Sequence, residues 1–297
     1  MKARSVYFNG VALDAAHRGR GPYVWRFTVA QRLLHLVLVV AFFVLAFTGL
    51  PLRFSCVAWA PQLMALWGGP RVAGLIHRVA GGVVLACFAV YLGAGAVALA
   101  RARDRRRLLW GPDAILLSRR DFREFWQMLR WAVGRGEKPR FGRYSYREKF
   151  NYLMVFLGLG AIALSGLLLW FPEFFGRILP GVVFNLATIV HSYQVMLLAA
   201  LIVAYHFFDV HLRSGKFPLD GVMFTGRATL GYMEEEHPLV AAGLGDVAAQ
   251  APSPRPVPDR VAPPAPRWLE VTSTMLGLLF LALGVLLVVL GLWDALC

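Results

Sequence analysis

The chain has 297 residues, 58% hydrophobic and 16% charged, and its 31 Lys and Arg against 17 Asp and Glu give a formal charge of +14. A mean hydropathy of +0.57, with the apolar residues gathered into long runs, excludes an ordinary soluble domain and marks a membrane protein. The charge does not point to nucleic acid, because it lies in segments flanking apolar runs and no recognition motif accompanies it.

Residues 1–28 form a polar segment carrying Lys2, Arg4, Arg18, Arg20 and Arg26, with Arg32 close behind. The first apolar run starts only after this segment and is too long for the h-region of a signal peptide, so no cleavable signal is expected. Runs near 29–50, 73–99, 149–171, 184–209 and 270–294 each supply the roughly 20 residues a helix needs to cross a bilayer core. Between the second and third lies the basic loop 100–148, with RARDRRRLLW at 101–110 and a further Arg-rich stretch from Arg119 to Arg147. The positive-inside rule puts this loop and the N-terminus in the cytoplasm, the loops 51–72 and 172–183 outside, and the C-terminus outside. Within the basic loop Phe122, Phe125, Trp126, Leu129 and Val133 recur at three- and four-residue steps. That pattern predicts an amphipathic helix, either lying on the inner membrane surface or packed on a soluble partner.

After the fourth run comes a polar segment, 210–240, and then AQAPSPRPVPDRVAPPAPR at 249–267, whose prolines forbid helix and favour an extended tether. The tether leads to a detached fifth span with Gly277, Gly284 and Gly291 seven apart, a small-residue face suited either to docking or to generic span packing. The predicted organisation is an N-terminal segment 1–28, a four-helix domain 29–240, a Pro-rich linker 241–268 and a fifth transmembrane helix 269–297. The fold class is an all-α membrane protein, a four-helix transmembrane bundle with an additional C-terminal helix. Cys56, Cys87 and Cys297 are scattered, with no Cys-x-x-Cys or Cys-x-x-Cys-His, so disulfides, zinc fingers, iron–sulfur ligation and covalent haem attachment are not expected.

Four of seven histidines, His35, His77, His191 and His206, fall within the predicted spans, where an ionisable group is costly and needs a partner. Span direction sorts them into two levels, His77 with His191 toward the outside and His35 with His206 toward the inside. Two imidazoles from different helices at one depth are what a six-coordinate, non-covalently held haem b requires, one nitrogen for each axial position of the iron. The fifteen residues from His191 to His206 leave an offset of only about 60° and a rise of roughly 22 Å on a regular helix, which suits two haems b stacked across the bilayer. The rival use of membrane histidines, transition-metal transport, usually adds carboxylates or thiolates at the same level, and the four spans carry no Asp or Glu well inside them. Gly81 and Gly82, a turn beyond His77, would leave room for a macrocycle or simply pack helices. Arg32, Arg71 and Arg78 lie near the two levels, where an arginine pairs with a haem propionate or sits at the membrane edge. His211 is about 140° around a regular helix from His206, interfacial or close to a quinone. His17 and His237 lie in polar segments and are expected on the surface.

The blocks RFTVAQRLLHLVLVVAFFVLAFTGLPLRF (26–54), LIHRVAGGVVL (75–85), GRYSYREKFNYLMVFLGLGAIALSGLLLWFP (142–172) and HSYQVMLLAALIVAYHFFDVHLRSGKFPLDGVMFTGR (191–227) resemble the di-haem cytochrome b subunits of membrane oxidoreductases. These include the gamma subunit of formate dehydrogenase and the cytochrome b subunits of thiosulfate reductase and nickel–iron hydrogenase. The resemblance covers about residues 26–240 and implies that His35, His77, His191 and His206 are the iron ligands. It also implies a site for menaquinone or ubiquinone beside the inner haem at the start of the third span. There the family commonly has Asn and Gln in a Tyr-Asn-x-Gly-Gln-Lys-like motif, and this chain has Tyr144, Ser145, Tyr146, Arg147, Glu148 and Lys149 instead. The span-four histidines are one residue further apart than in the formate enzyme, which predicts a local bulge or another subfamily.

The expected function is electron transfer between an extracytoplasmic redox subunit and the quinone pool of a bacterial inner membrane, with substrate chemistry left to the partner. That partner would be an iron–sulfur or molybdopterin enzyme, a hydrogenase or a multihaem cytochrome c. A non-redox membrane anchor or assembly subunit is the alternative. A proton-coupled transporter would call for acidic residues within the spans.

Overall fold

In a computed structural model of the protein the described residues are 6–8, 11–13, 22–213, 216–217, 219–244 and 260–295. The elements begin with β1 (Val6–Phe8), β2 (Val11–Leu13), β3 (Tyr23–Trp25), α1 (Val29–Arg53), α2 (Trp59–Leu66), α3 (Pro70–Arg101), α4 (Arg105–Trp110) and α5 (Arg119–Ala132). They continue with α6 (Tyr146–Trp170), α7 (Pro172–Phe175), α8 (Gly181–Leu201), α9 (Val222–Thr225), β4 (Arg227–Thr229), α10 (Leu230–Glu236), α11 (Pro238–Leu244), β5 (Val261–Ala262) and α12 (Arg267–Ala295). α8 runs on through π-helical turns at Ile202–His206 and Phe208–Leu212. Among the described residues five helical stretches are long and apolar enough to cross a membrane: Val29–Arg53, Pro70–Arg101, Tyr146–Trp170, Gly181–Leu212 and Arg267–Leu292. Each extends a few residues past the apolar run that announced it at one end or both, because helical hydrogen bonding continues into the polar flanks.

The chain divides into two compact units. One comprises Met1–Leu33, Ala102–Asn151 and Leu219–Gly277, the other Leu34–Arg101, Tyr152–Pro218 and Leu278–Cys297.

The second unit contains the histidine-bearing helices. Its core joins Phe42, Phe43, Ala46, Leu50, Phe54 and Val57 to Leu198 and Phe207 of the α8 stretch and Leu287 of α12. Pro51, inside the last turns of α1, has no N–H to give the Phe47 carbonyl one turn back. The Trp67 indole Nε1 donates to that carbonyl at 3.1 Å, so the segment after α2 repairs the helix that proline opened. The turn from α2 into α3 uses Gly68 and Gly69 at φ of 80° and 89°, a left-handed backbone that a side chain would strain, and Pro70 then starts α3.

The fifth span is not detached. Phe280 of α12 stacks on Phe43 with centroids 5.7 Å apart, and a Cβ at Gly284 would lie 2.5 Å from Phe207 Cε2. The small-residue face is thus covered by this chain's own side chains. In the first unit a Cβ at Gly277 would similarly lie 2.4 Å from Leu219.

The first unit also holds short strands that the sequence did not announce. β3 pairs antiparallel with β4 (Val24 opposite Ala228) and with β5 (Val24 opposite Val261), giving the order β4-β3-β5. Within the expected linker 241–268, residues 241–244 complete α11, and Val261 and Ala262 form β5 in the gap between Pro258 and Pro263, where backbone N–H groups are available to pair. Residues 245–259 lie outside the described residues.

Two capping boxes start α5 and α6. Ser118 N donates to Asp121 Oδ2 and Ser145 N donates to Glu148 Oε2, both at 2.7 Å. The amphipathic pattern of the basic loop becomes α5, with Asp121 and Glu124 buried and Phe122 (61%), Trp126 (62%) and Val133 (70%) exposed. The apolar face thus points away from the unit. Lys149, four residues into α6, holds Asp121 at 3.1 Å with both side chains almost fully buried. Removing one member of such a pair strands a buried charge, at a cost of about 3–5 kcal/mol. Lys149→Met should therefore lower the thermal midpoint of the detergent-solubilised protein sharply, and adding Asp121→Asn should recover much of the loss. Equal midpoints for the single and double variants would refute this.

Candidate functional site

The four span histidines all lie in the second unit and face one another in two pairs. The His77 and His191 ring centroids are 6.1 Å apart, and those of His35 and His206 are 6.4 Å apart. Two iron–nitrogen bonds of about 2.0 Å and two ring radii of about 1.1 Å put axial imidazole centroids about 6.2 Å apart, so each pair has the spacing of a haem iron between two nitrogens. Among the described residues no group of three or more His, Cys, Asp or Glu converges as a metal site. Each pair thus offers the two-nitrogen set of an axially ligated iron, in contrast to the three or four ligands of a zinc site.

The hydrogen bonds assign the proton on the first pair. His191 Nδ1 lies 3.0 Å from the Ile162 carbonyl, which can only accept, so this nitrogen is the donor. His77 Nδ1 lies 2.9 Å from Thr48 Oγ1, and Thr48 gives its hydroxyl proton to the Val44 carbonyl at 2.6 Å. His77 Nδ1 is then the donor as well. In both rings the lone pair is left on Nε2, the nitrogen that would meet iron.

His206 sits on altered backbone. π-Helical hydrogen bonds span five residues, so the turn at Ile202–His206 absorbs one more residue than an α turn does. The fifteen-residue separation of His191 and His206 is thereby presented much as about fourteen α-helical residues would be. The same geometry corrects the placement of His211. Its offset from His206 holds for an α-helix, but across the second π turn residues five apart share a side, and the two ring centroids are 6.4 Å apart.

The remaining expected residues fall as follows. Arg32 donates through Nε to the Phe224 carbonyl at 2.8 Å, and its Nη2 makes a second contact with the same oxygen. Arg78 is exposed on α3, next in sequence to His77. Gly81 and Gly82 would tolerate a Cβ, whose nearest neighbours are Leu45 and Trp170 at 4.0 Å. Ser145 and Glu148 are committed to each other in the α6 cap, the Ser145 hydroxyl donating to Glu148 Oε2 at 2.8 Å. Glu148 Oε1 faces Arg26 at 3.5 Å and His237 at 3.7 Å.

His237 departs from its expected surface position. It is 1% exposed, donates Nδ1–H to the Gly142 carbonyl at 2.8 Å and accepts at Nε2 from Arg26 at 3.3 Å. Nothing local in its polar segment signals this, because its partners come from residues roughly 90 and 210 positions away. Thr48 and Ser165, the hydroxyl neighbours of His77 and His191, were also missed. The signal available for them was a hydroxyl residue followed by Gly in both FTGL (47–50) and LSGL (164–167).

A sequence profile for the family described as prokaryotic cytochrome b561 matches residues 26–212. Among characterised proteins, the chain is similar to the formate dehydrogenase cytochrome b556(fdo) subunit of Escherichia coli strain K12, 24% identical over 216 residues that span 72% of this chain and 89% of that subunit. It is also similar to the formate dehydrogenase cytochrome b556 subunit of Haemophilus influenzae, 22% identical over 221 residues, 72% of this chain and 80% of the relative.

Burial holds His237 below its ordinary value of 6.5, with Glu148 acting in the opposite sense. A histidine with a lowered folded value contributes its stability in full above 6.5, and loses it as pH falls through that lowered value. The thermal midpoint of the solubilised protein should accordingly drop as pH is taken below 6.5, and His237→Gln should flatten that drop. The same slope in both proteins would show that His237 does not carry it.

Proposed function

Since the chain belongs to the prokaryotic cytochrome b561 family and is a multi-pass bacterial membrane cytochrome of electron transfer, we propose that it holds two haems b and carries electrons between an extracytoplasmic redox partner and the quinone pool. The observation that carries this reading is the pair of facing histidine couples, at 6.1 and 6.4 Å, each at the spacing of an iron with two axial nitrogens. His77 and His191 would hold one haem, His35 and His206 the other. Each haem, when bound, supplies reversible one-electron exchange at its iron. The protein's part is to present four neutral imidazoles in apolar surroundings and to keep the rings of each couple facing.

Arg78 is the candidate for a propionate beside His77, and Arg32 keeps N–H donors beyond those it gives Phe224 for the same task. The quinone, menaquinone or ubiquinone, is assigned to the end of the bundle at the His35 and His206 couple, with His211 as the polar group beside it. Ser145 and Glu148 are weaker candidates, because the cap already uses the serine hydroxyl and one carboxylate oxygen. That end is cytoplasmic in this reading, because the positive-inside rule starts the first span in the cytoplasm. The named relatives are formate dehydrogenase subunits, which supports a partner bearing the substrate chemistry: an iron–sulfur or molybdopterin subunit, a hydrogenase or a multihaem cytochrome c.

Protein purified from membranes should contain about two protohaems per chain by pyridine haemochrome. His191→Ala should reduce this to about one while sparing the His35 and His206 haem; equal loss of both would refute the pairing, and no haem in the parent would leave a membrane anchor as the reading. Orientation is tested by reporter fusions. A periplasm-active reporter should function after residue 295, and a cytoplasm-active one within the loop 133–140.

A further inference from the structure

We propose that Thr48–Gly49 on α1 and Ser165–Gly166 on α6 are a matched pair of positioning devices that set the proton and the rotation of His77 and His191, and so tune the iron these rings would hold. The inference rests on the haem reading above and goes beyond it by assigning work to a helix, α6, that carries no histidine.

The two devices share one construction. Thr48 donates its hydroxyl proton to Val44, four residues back, with the Leu45 carbonyl at 3.2 Å; Ser165 donates to Ala161, four residues back, at 2.8 Å, with Ile162 at 3.0 Å. With its single proton spent inside its own helix, each oxygen can only accept from the histidine Nδ1 that faces it, at 2.9 Å for His77 and at 3.3 Å for His191, whose proton it shares with the Ile162 carbonyl at 3.0 Å. Both hydroxyl residues are buried, Thr48 completely and Ser165 to 5% exposure. The glycine that follows each one makes room for the ring edge. A Cβ at Gly49 would lie 3.2 Å from His77 Cε1 and one at Gly166 only 2.9 Å from His191 Cε1, close enough that the ring would have to move. Serine and threonine bond back to their own helix in many membrane spans, but that habit does not explain two hydroxyls aimed at two facing imidazoles, each followed by a glycine under the ring.

A hydrogen bond accepted from Nδ1–H makes the imidazole a stronger donor through Nε2, which favours Fe(III) and lowers the reduction potential. Removing the acceptor should raise the potential of that haem and leave the other as an internal control. The experiment is an equilibrium redox titration of the purified full-length chain, followed in the haem absorption bands, with low-temperature EPR for ring orientation. Thr48→Val should shift one of two haems by about tenfold in its one-electron equilibrium, about 59 mV, with Thr48→Ser restoring the parent value, and Ser165→Ala should shift the same haem by less, because the Ile162 carbonyl at 3.0 Å still accepts from His191 Nδ1. Gly166→Ala, which keeps the hydroxyl, should change the low-spin g-values of that same haem. Unchanged titrations with two haems bound, or equal shifts in both haems, overturn the proposal. If Thr48→Val loses one haem while Thr48→Ser keeps two, positioning is supported; equal loss in both variants counts against it. A parent chain without haem, measured first, refutes the haem reading itself and is thereby distinguished from failure of the positioning devices.

Discussion

Every polar atom placed among apolar span residues must find a partner inside the protein, and the arrangement of the histidine-bearing unit follows from that obligation. An unpaired donor or acceptor away from water costs far more than a paired one returns. Pro51 breaks the α1 ladder, and Trp67 satisfies the carbonyl it exposes. Thr48 and Ser165 turn their own protons into their helices and offer an oxygen outward. His77 and His191 meet those oxygens and the Ile162 carbonyl with one nitrogen each. What the rule leaves over in each ring is the second nitrogen, whose lone pair is the feature a haem-binding helix is built to present.

The first unit satisfies its polar groups by another route, through caps and charges in place of spans. Ser118 with Asp121 and Ser145 with Glu148 each close a helix start, and the two acids then serve a second purpose. Asp121 receives Lys149, while Glu148 lies beside Arg26 and His237. With its acids turned inward, α5 keeps an outer face of aromatic side chains among arginines, a composition suited to the headgroup region of a bilayer.

α8 shows how a change of backbone alters which side chains work together. Counted at 3.6 residues per turn, the fifteen residues from His191 to His206 leave the two side chains about 60° apart, and His211 points away from His206. The π turns absorb the surplus residue and bring His35, His206 and His211 into one neighbourhood. Such turns replace optimal i→i+4 bonds with weaker ones, and they recur at functional sites because the backbone accepts that cost for a side-chain placement unreachable otherwise.

Hydropathy alone located the five spans to within a few residues, since a helix that crosses a bilayer must be apolar along its length and this needs no knowledge of its neighbours. Depth alone paired His77 with His191 and His35 with His206, because alternate spans run in opposite directions. The match of Ser118 to Asp121 is likewise a local property of four residues. What lay beyond the sequence depends on residues far apart in the chain. The β3 strand pairs with segments some 200 residues later, His237 is buried by Gly142 and Arg26, and the glycines of the fifth span are covered by Leu219, Phe207 and Met196. The π turns were foreshadowed only by the spacing of His191 and His206, since propensity carries no signal for a bulge whose reason is the position of a side chain. Periodicity and depth are one-dimensional and can be read along the chain; hydrogen-bond partnership is three-dimensional, and only the fold decided which hydroxyl faces which imidazole.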